Sequence, residues 1–202
     1  MRRLLVVVPI SFLLLSAMSA APVPRDRVKE VPLYHPTTVG TKRVYTLAQD
    51  ELVAVVTAVQ EKEGAKVVTV DWLWRDEKAS CEKLLVSAKG VLRLEVNEVA
   101  IEPPCYVLEV GRKPGDRCEV NHTDTIFRSR ARFTACDPEA IRVPAGVFRC
   151  VTVESEHRDR NGTRTSLAWY APGVGLVKEV VKTDSREWVV SKELKSITQG
   201  KE

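Results

Sequence analysis

Trp169-Tyr170-Ala171-Pro172-Gly173-Val174-Gly175-Leu176-Val177-Lys178 reads as a strand, a tight Pro-Gly turn and a second strand. Proline presets the backbone for the turn, and glycine takes a positive φ at no steric cost. The aromatic and β-branched residues on either side favour extended backbone. Short connections force antiparallel pairing, so this hairpin predicts that its neighbours in sequence are strands as well.

Working outward, Asp184-Ser185 turns the chain and residues 186–198 bring Trp188, Val190 and Leu194 into phase. The β-branched run of Val177, Val180, Val181, Val189 and Val190 favours strands over a helix here. Upstream, residues 164–171 place Leu167, Trp169 and Ala171 on one face. Asp159-Arg160-Asn161-Gly162 carries the Asn-Gly hairpin signal, preceded by a strand over 148–158 and the Pro144-Ala145-Gly146 turn. Residues 140–143 form a short strand after Asp137-Pro138, read as a break.

The first half repeats the pattern. Strands are predicted over 43–48, 51–61, 66–76, 79–87 and 91–99, with Leu92, Leu94 and Val96 inward in the last. The clearest is 66–76, where Val68, Val70, Trp72 and Trp74 alternate with Val67, Thr69, Asp71, Leu73 and Arg75. Asp71 therefore faces solvent. Pro103-Pro104 is expected to break the ladder, with room for one helical turn within 103–112. Lys113-Pro114-Gly115-Asp116 is a turn, and 117–122 and 126–135 are further strands. Arg128, Arg130 and Arg132 share one side of the second, which reads as a solvated face with carboxylates across the strand. The fold class is all-β: about ten antiparallel strands with little helix, which must curl into a strongly curved sheet or open barrel, or split into a sandwich.

Residues 1–20 read as a signal peptide: Arg2 and Arg3, an apolar run from Leu4 to Leu15, then small residues at a cleavage region. The apolar run is short for a bilayer core of about 30 Å, so no membrane span is expected after cleavage. The protein is expected to be exported, periplasmic or extracellular. Residues 21–40 form a Pro-rich extended lead-in, in which His35 is expected to be exposed, and 41–199 a single β-domain. The formal net charge of +4 falls by two once Arg2 and Arg3 are removed, and no basic stripe for nucleic acid is visible. Cys81, Cys105, Cys118, Cys136 and Cys150 contain no C-x-x-C pair. In an oxidising compartment they admit up to two disulfides of unreadable connectivity, or buried free thiols.

Val143-Pro144-Ala145-Gly146-Val147-Phe148 and 169–178, with Gly40-Thr41-Lys42-Arg43-Val44-Tyr45 and Lys113-Pro114-Gly115-Asp116, resemble an uncharacterised family of exported bacterial β-proteins. That family carries V-P-A-G-x-F and W-Y-A-P-G-V-G-L-V-K motifs and is loosely similar to the LolA/LolB-like lipoprotein carriers. The resemblance implies a LolA-like curved sheet with an apolar groove, and no established activity.

Catalytic residues are not expected. Three histidines (His35, His122, His157) and no G-x-S-x-G elbow leave Cys118 with His122 as the one nucleophile–base pair to consider, and a surface histidine beside a structural cysteine is the better reading of it. No metal-ligand spacing is present, and no cofactor is expected. Trp72, Trp74, Trp169 and Trp188 are the candidate ligand-lining residues, against the plainer reading that they fill a core. The expectation is a non-enzymatic exported domain that binds a lipid, a lipoprotein or another hydrophobic partner. A structural or interaction protein of the cell envelope, and an unrecognised hydrolase, are the alternatives.

Overall fold

The computed structural model describes residues 31–123, 128–159, 162–183 and 187–201, with only the backbone at 120–123, 128–131 and 159. The signal-peptide reading of 1–20 and the hairpin tip Arg160-Asn161 lie outside the described residues. The strands are β1 (Lys42–Leu47), β2 (Asp50–Lys62), β3 (Ala65–Trp74), β4 (Glu77–Ser87), β5 (Gly90–Val96), β6 (Val99–Glu109), β7 (Arg117–Thr123), β8 (Arg128–Val143), β9 (Gly146–Asp159), β10 (Gly162–Ala171), β11 (Gly175–Thr183) and β12 (Val189–Thr198). All belong to one antiparallel sheet in the order β6-β5-β4-β3-β2-β1-β12-β11-β10-β9-β8-β7. Two six-stranded meanders thus join where the first strand pairs with the last.

The sheet is strongly curved but not closed. Val107 of β6 and Tyr170 of β10, far apart in strand order, line one cavity. The two edges face each other across a gap of about 30 Å³ lined by Leu108, Cys118, Phe133 and Val153, and share no ladder. The concave face carries the core: Tyr45, Val56, Val68, Val70, Val86, Val177 and Leu194 are fully buried. They come from alternate positions of their strands, as a sheet with one covered face requires.

Four expectations need correction. Pro103-Pro104 does not break the ladder: β6 runs through it as an edge strand, and its pairing skips from Arg93↔Cys105 to Glu95↔Ala100. An edge bulge is where a strand tolerates proline, which has no N–H to donate. Asp137-Pro138 is likewise a bulge inside one continuous β8, between Cys136↔Thr152 and Glu139↔Cys150. There is no helix among the described residues, so the helical turn within 103–112 is a strand and a turn instead. The inward face of β5 is Val91 and Arg93 rather than Leu92 and Leu94, while Val96, opposite the cavity-lining Glu82, keeps its inward place. A register shift leaves Leu94 as the extra residue opposite Lys83 and Leu84, and a one-residue slip exchanges the two faces.

Candidate functional site

The hairpin formed by β10, β11 and the turn between them organises the concave face. Its turn amide, Gly173 N–H, donates to the Leu33 carbonyl at 2.7 Å, pinning the lead-in over one end of the sheet. The Val174 carbonyl accepts from Arg43 Nη1 at 3.3 Å, and the Leu176 carbonyl accepts from the Tyr45 hydroxyl at 2.9 Å. Gly175 makes this possible. Its φ is +85°, and a Cβ there would sit 2.6 Å from Arg43 Nη1. The glycine therefore sets the turn and also leaves room for a guanidinium.

Arg43 is 2% exposed, and among the described residues it has no carboxylate partner. Its Nη2 donates to His35 Nε2 at 3.0 Å, while His35 Nδ1 donates to the Pro36 carbonyl at 2.8 Å. The carbonyl fixes the tautomer, because it can only accept; Nε2 is left as the lone-pair acceptor of a neutral ring. Burial first, and the Arg43 charge second, hold the His35 pKa well below the usual histidine value. His35 is thus buried rather than exposed, because the guanidinium of a strand residue draws it in.

Above this pair lies a cavity of about 270 Å³ on the concave face. One part of its wall is apolar: Leu52, Val70, Leu84, Val91, Val107 and Leu176. The rest is charged or hydrogen-bonding. Arg93 Nη2 lies 3.2 Å from Glu82 Oε1, and Lys192 Nζ donates to Glu179 Oε2 at 2.6 Å. Burial alone would raise the Glu179 carboxyl, but Lys192, with Arg164 and a Ser191 hydrogen bond, outweighs it and holds the pKa below the usual value. Tyr170 also lines the cavity, and burial, then the Glu179 charge, keep it a protonated phenol. Leu176 and Glu179 both reach this wall, although three apart, because Val177 is an extra residue in the pairing of Trp169↔Lys178 and Tyr170↔Leu176.

Of the four candidate tryptophans, Trp72 lines the cavity, its ring 5.8 Å from Tyr45. The structure does not bring the other three to it. Trp169 is buried and donates to Glu139 Oε1 at 2.6 Å. Trp74 and Trp188 are each 44% exposed, and each is stacked by a cation, Arg75 and Lys182, at 4.7 Å from the ring centre. Trp74 and Trp188 lie at the end of β3 and before β12, and Trp169 alternates with Tyr170, which faces the cavity, so the in-phase pattern does not bring the indoles together. The residues missed are Arg43, Glu82, Arg93, Glu179 and Lys192. A signal was present: Arg43 is in phase with Tyr45, Glu82 with Leu84, and Lys192 with Leu194, charges set within inward-facing apolar rows.

The other candidates lie elsewhere. All five cysteines are free thiols. Burial is the first cause that raises the thiols of Cys81, Cys105, Cys136 and Cys150, the last to about 11, so at neutral pH they are protonated and weak nucleophiles. The side chain of His122, and with it the Cys118–His122 pair, lies outside the described residues, as do the side chains of Arg128 and Arg130. Arg132 meets Glu119 across the strand at 3.0 Å. Asp71 is half-buried and paired with Lys78 at 3.0 Å rather than freely solvated. Among the described residues no group of histidine, cysteine and carboxylate side chains is placed to hold a metal, and no helix is long and apolar enough to cross a membrane.

Comparison with known proteins places this geometry in a structural class. The crystal structure of a protein from Bacteroides fragilis, assigned as exported and as having a YmcC-like fold, matches with a TM-score of 0.59 at 16% identity. The match covers 83% of this chain and 100% of that one. A protein assigned as a lipoprotein, from Parabacteroides distasonis, matches with a TM-score of 0.50 at 17% identity, over 83% and 99% of the two chains. The likeness is one of fold. No family model and no curated protein matches the sequence.

Proposed function

We propose that this protein is an exported, non-catalytic β-domain that holds a hydrophobic or amphipathic molecule of the lipid class in the cavity of its concave face. The cavity carries the reading: about 270 Å³, lined by aliphatic side chains and Trp72 together with charged and hydrogen-bonding groups. Concave, largely preformed and mixed in this way is how small-molecule sites are built. Export is supported by the charged, apolar and small-residue order of the amino terminus, and by fold neighbours assigned as exported and as a lipoprotein. The sequence resemblance to a family compared with lipoprotein carriers supports the same class of ligand. Protonated, partly buried thiols fit a binding role better than a nucleophilic one.

Native mass spectrometry of the protein purified from its own envelope fraction tests the reading. A small-molecule adduct in stoichiometric amount, lost on extraction into organic solvent, is the expected result. A clean unliganded mass accompanied by a stoichiometric protein partner would sink it in favour of an envelope interaction protein. The exposed Trp188-Val189-Val190 run, at 44%, 61% and 46% exposure, is the surface that favours that second reading.

A further inference from the structure

We propose that the cavity is selective for a monoanion: a small amphiphile whose carboxylate head is received by Arg43, beside Trp72 and Arg93, and whose apolar body lies against Val70, Leu84 and Val91. This deepens the ligand-binding reading and rests on it.

Charge comes first. The cavity wall holds three cations and two carboxylates. Arg93 is matched by Glu82 and Lys192 by Glu179, at 3.2 and 2.6 Å. Arg43 is left over, 2% exposed, with only neutral partners: the Val174 carbonyl, the lone pair of His35 and the Tyr45 hydroxyl. Charges removed from water are held by partners, and an unpartnered one calls for a counter-charge. One surplus cation calls for one anionic charge, not two.

Polarity of the unused groups points the same way. Arg43 Nε, Trp72 Nε1 and Arg93 Nε are buried and lack a hydrogen-bond partner, and all three belong to residues of this wall. Every one is a donor. An acceptor-rich head satisfies such a site, whereas an ammonium head would add donors to donors. A guanidinium fork also matches the planar carboxylate better than any neutral group. The body must be small, because about 270 Å³ lies just below the roughly 300–1,000 Å³ of ordinary ligand pockets. A short fatty acid or a single-ring acid fits this description.

Calorimetric titration of the signal-cleaved chain with octanoate, octan-1-ol and octylamine tests the head and the body separately. Octanoate is expected to bind at least about tenfold more tightly than the other two. In Arg43→Met that margin is expected to collapse while octanol binding changes little. Trp72→Phe keeps a ring on the wall but loses the indole N–H, and is expected to weaken octanoate several-fold and octanol hardly at all. Should Arg43→Met not fold, Trp72→Phe and the wild-type comparison still decide. Equal binding of octanoate and octanol would overturn the choice of a carboxylate and leave the cavity reading standing, and tighter octylamine binding would do the same. Failure of all three probes would overturn both.

Discussion

The two faces of the sheet treat charge in opposite ways. On the convex face, Lys83 meets Glu95 at 2.9 Å and Lys178 meets Glu193 at 3.0 Å across neighbouring strands, and Lys195 of β12 reaches Glu51 of β2 across the intervening β1. The first two follow from antiparallel register, and an exposed pair such as Lys195–Glu51 contributes little to stability because water screens it. On the concave face the charges are fewer and deeper, and they do not balance. Arg43 is fully enclosed with a neutral histidine, a phenol and a carbonyl for company. The lesson is that the same residue types are surface ornament on one face and a binding determinant on the other.

Gly175→Ala should show the largest effect. The new Cβ would press on Arg43 Nη1 at 2.6 Å, and the backbone would hold an L-residue at a φ of +85°. Arg43 cannot swing aside freely, being enclosed and hydrogen-bonded. A loss of about 2–4 kcal/mol in denaturant unfolding is expected, from backbone strain and broken hydrogen bonds together. Adding Arg43→Met should recover part of that loss, since only the strain then remains. Strict additivity of the two substitutions would show that Gly175 and Arg43 are not coupled.

An acid-side stability loss should come next. His35 is neutral when folded, with its pKa held below the usual value, whereas the unfolded chain takes up a proton near the ordinary value of about 6.5. Below that pH the unfolded state is favoured. Stability should therefore fall as pH drops from about 6.5 toward the folded pKa, by at most about 1.4 kcal/mol per pH unit for this proton. Urea midpoints between pH 7 and 5 should show a shallower slope in His35→Gln than in the parent chain. Identical slopes would mean that His35 is not the neutral partner of Arg43. Glu179, whose pKa is lowered, adds a separate loss that sets in at more acidic pH, as its carboxylate takes up a proton.

The smallest effect belongs to the convex face. Lys195→Ala removes an exposed pair with Glu51, and less than about 0.5 kcal/mol should be lost. A loss several times larger would erase the contrast between the faces.

Much of this fold was legible in residue order, and the reasons are local. Period-two alternation from Val68 to Trp74 and the Pro-Gly turn report backbone geometry directly, so the all-β meander follows from them. Pro103-Pro104 and Asp137-Pro138 were misread because a proline looks the same at a break and at a bulge; only the partner strand tells them apart. The phase of β5 failed for the same reason, since an extra residue at Leu94 is a property of the pair. The site was half-visible. Glu82 and Lys192 stand in apolar inward rows, which a sequence shows; their partners Arg93 and Glu179 lie on the adjacent strands β5 and β11, and it takes the curvature of the sheet to bring the two pairs to one cavity. Trp169 and the Pro-Gly turn, which dominate the sequence, prove to be support: Gly175 makes space, and the carbonyls beside it hold Arg43 and Tyr45.

Diffraction from crystals grown with 8-bromooctanoate tests whether the concave cavity, lined by Arg43, holds a ligand. The bromine's anomalous signal should lie between Leu84 and Val91, with the carboxylate within hydrogen-bonding distance of Arg43. Bromine on the convex face, or in the cavity with its carboxylate turned away from Arg43, would contradict the account.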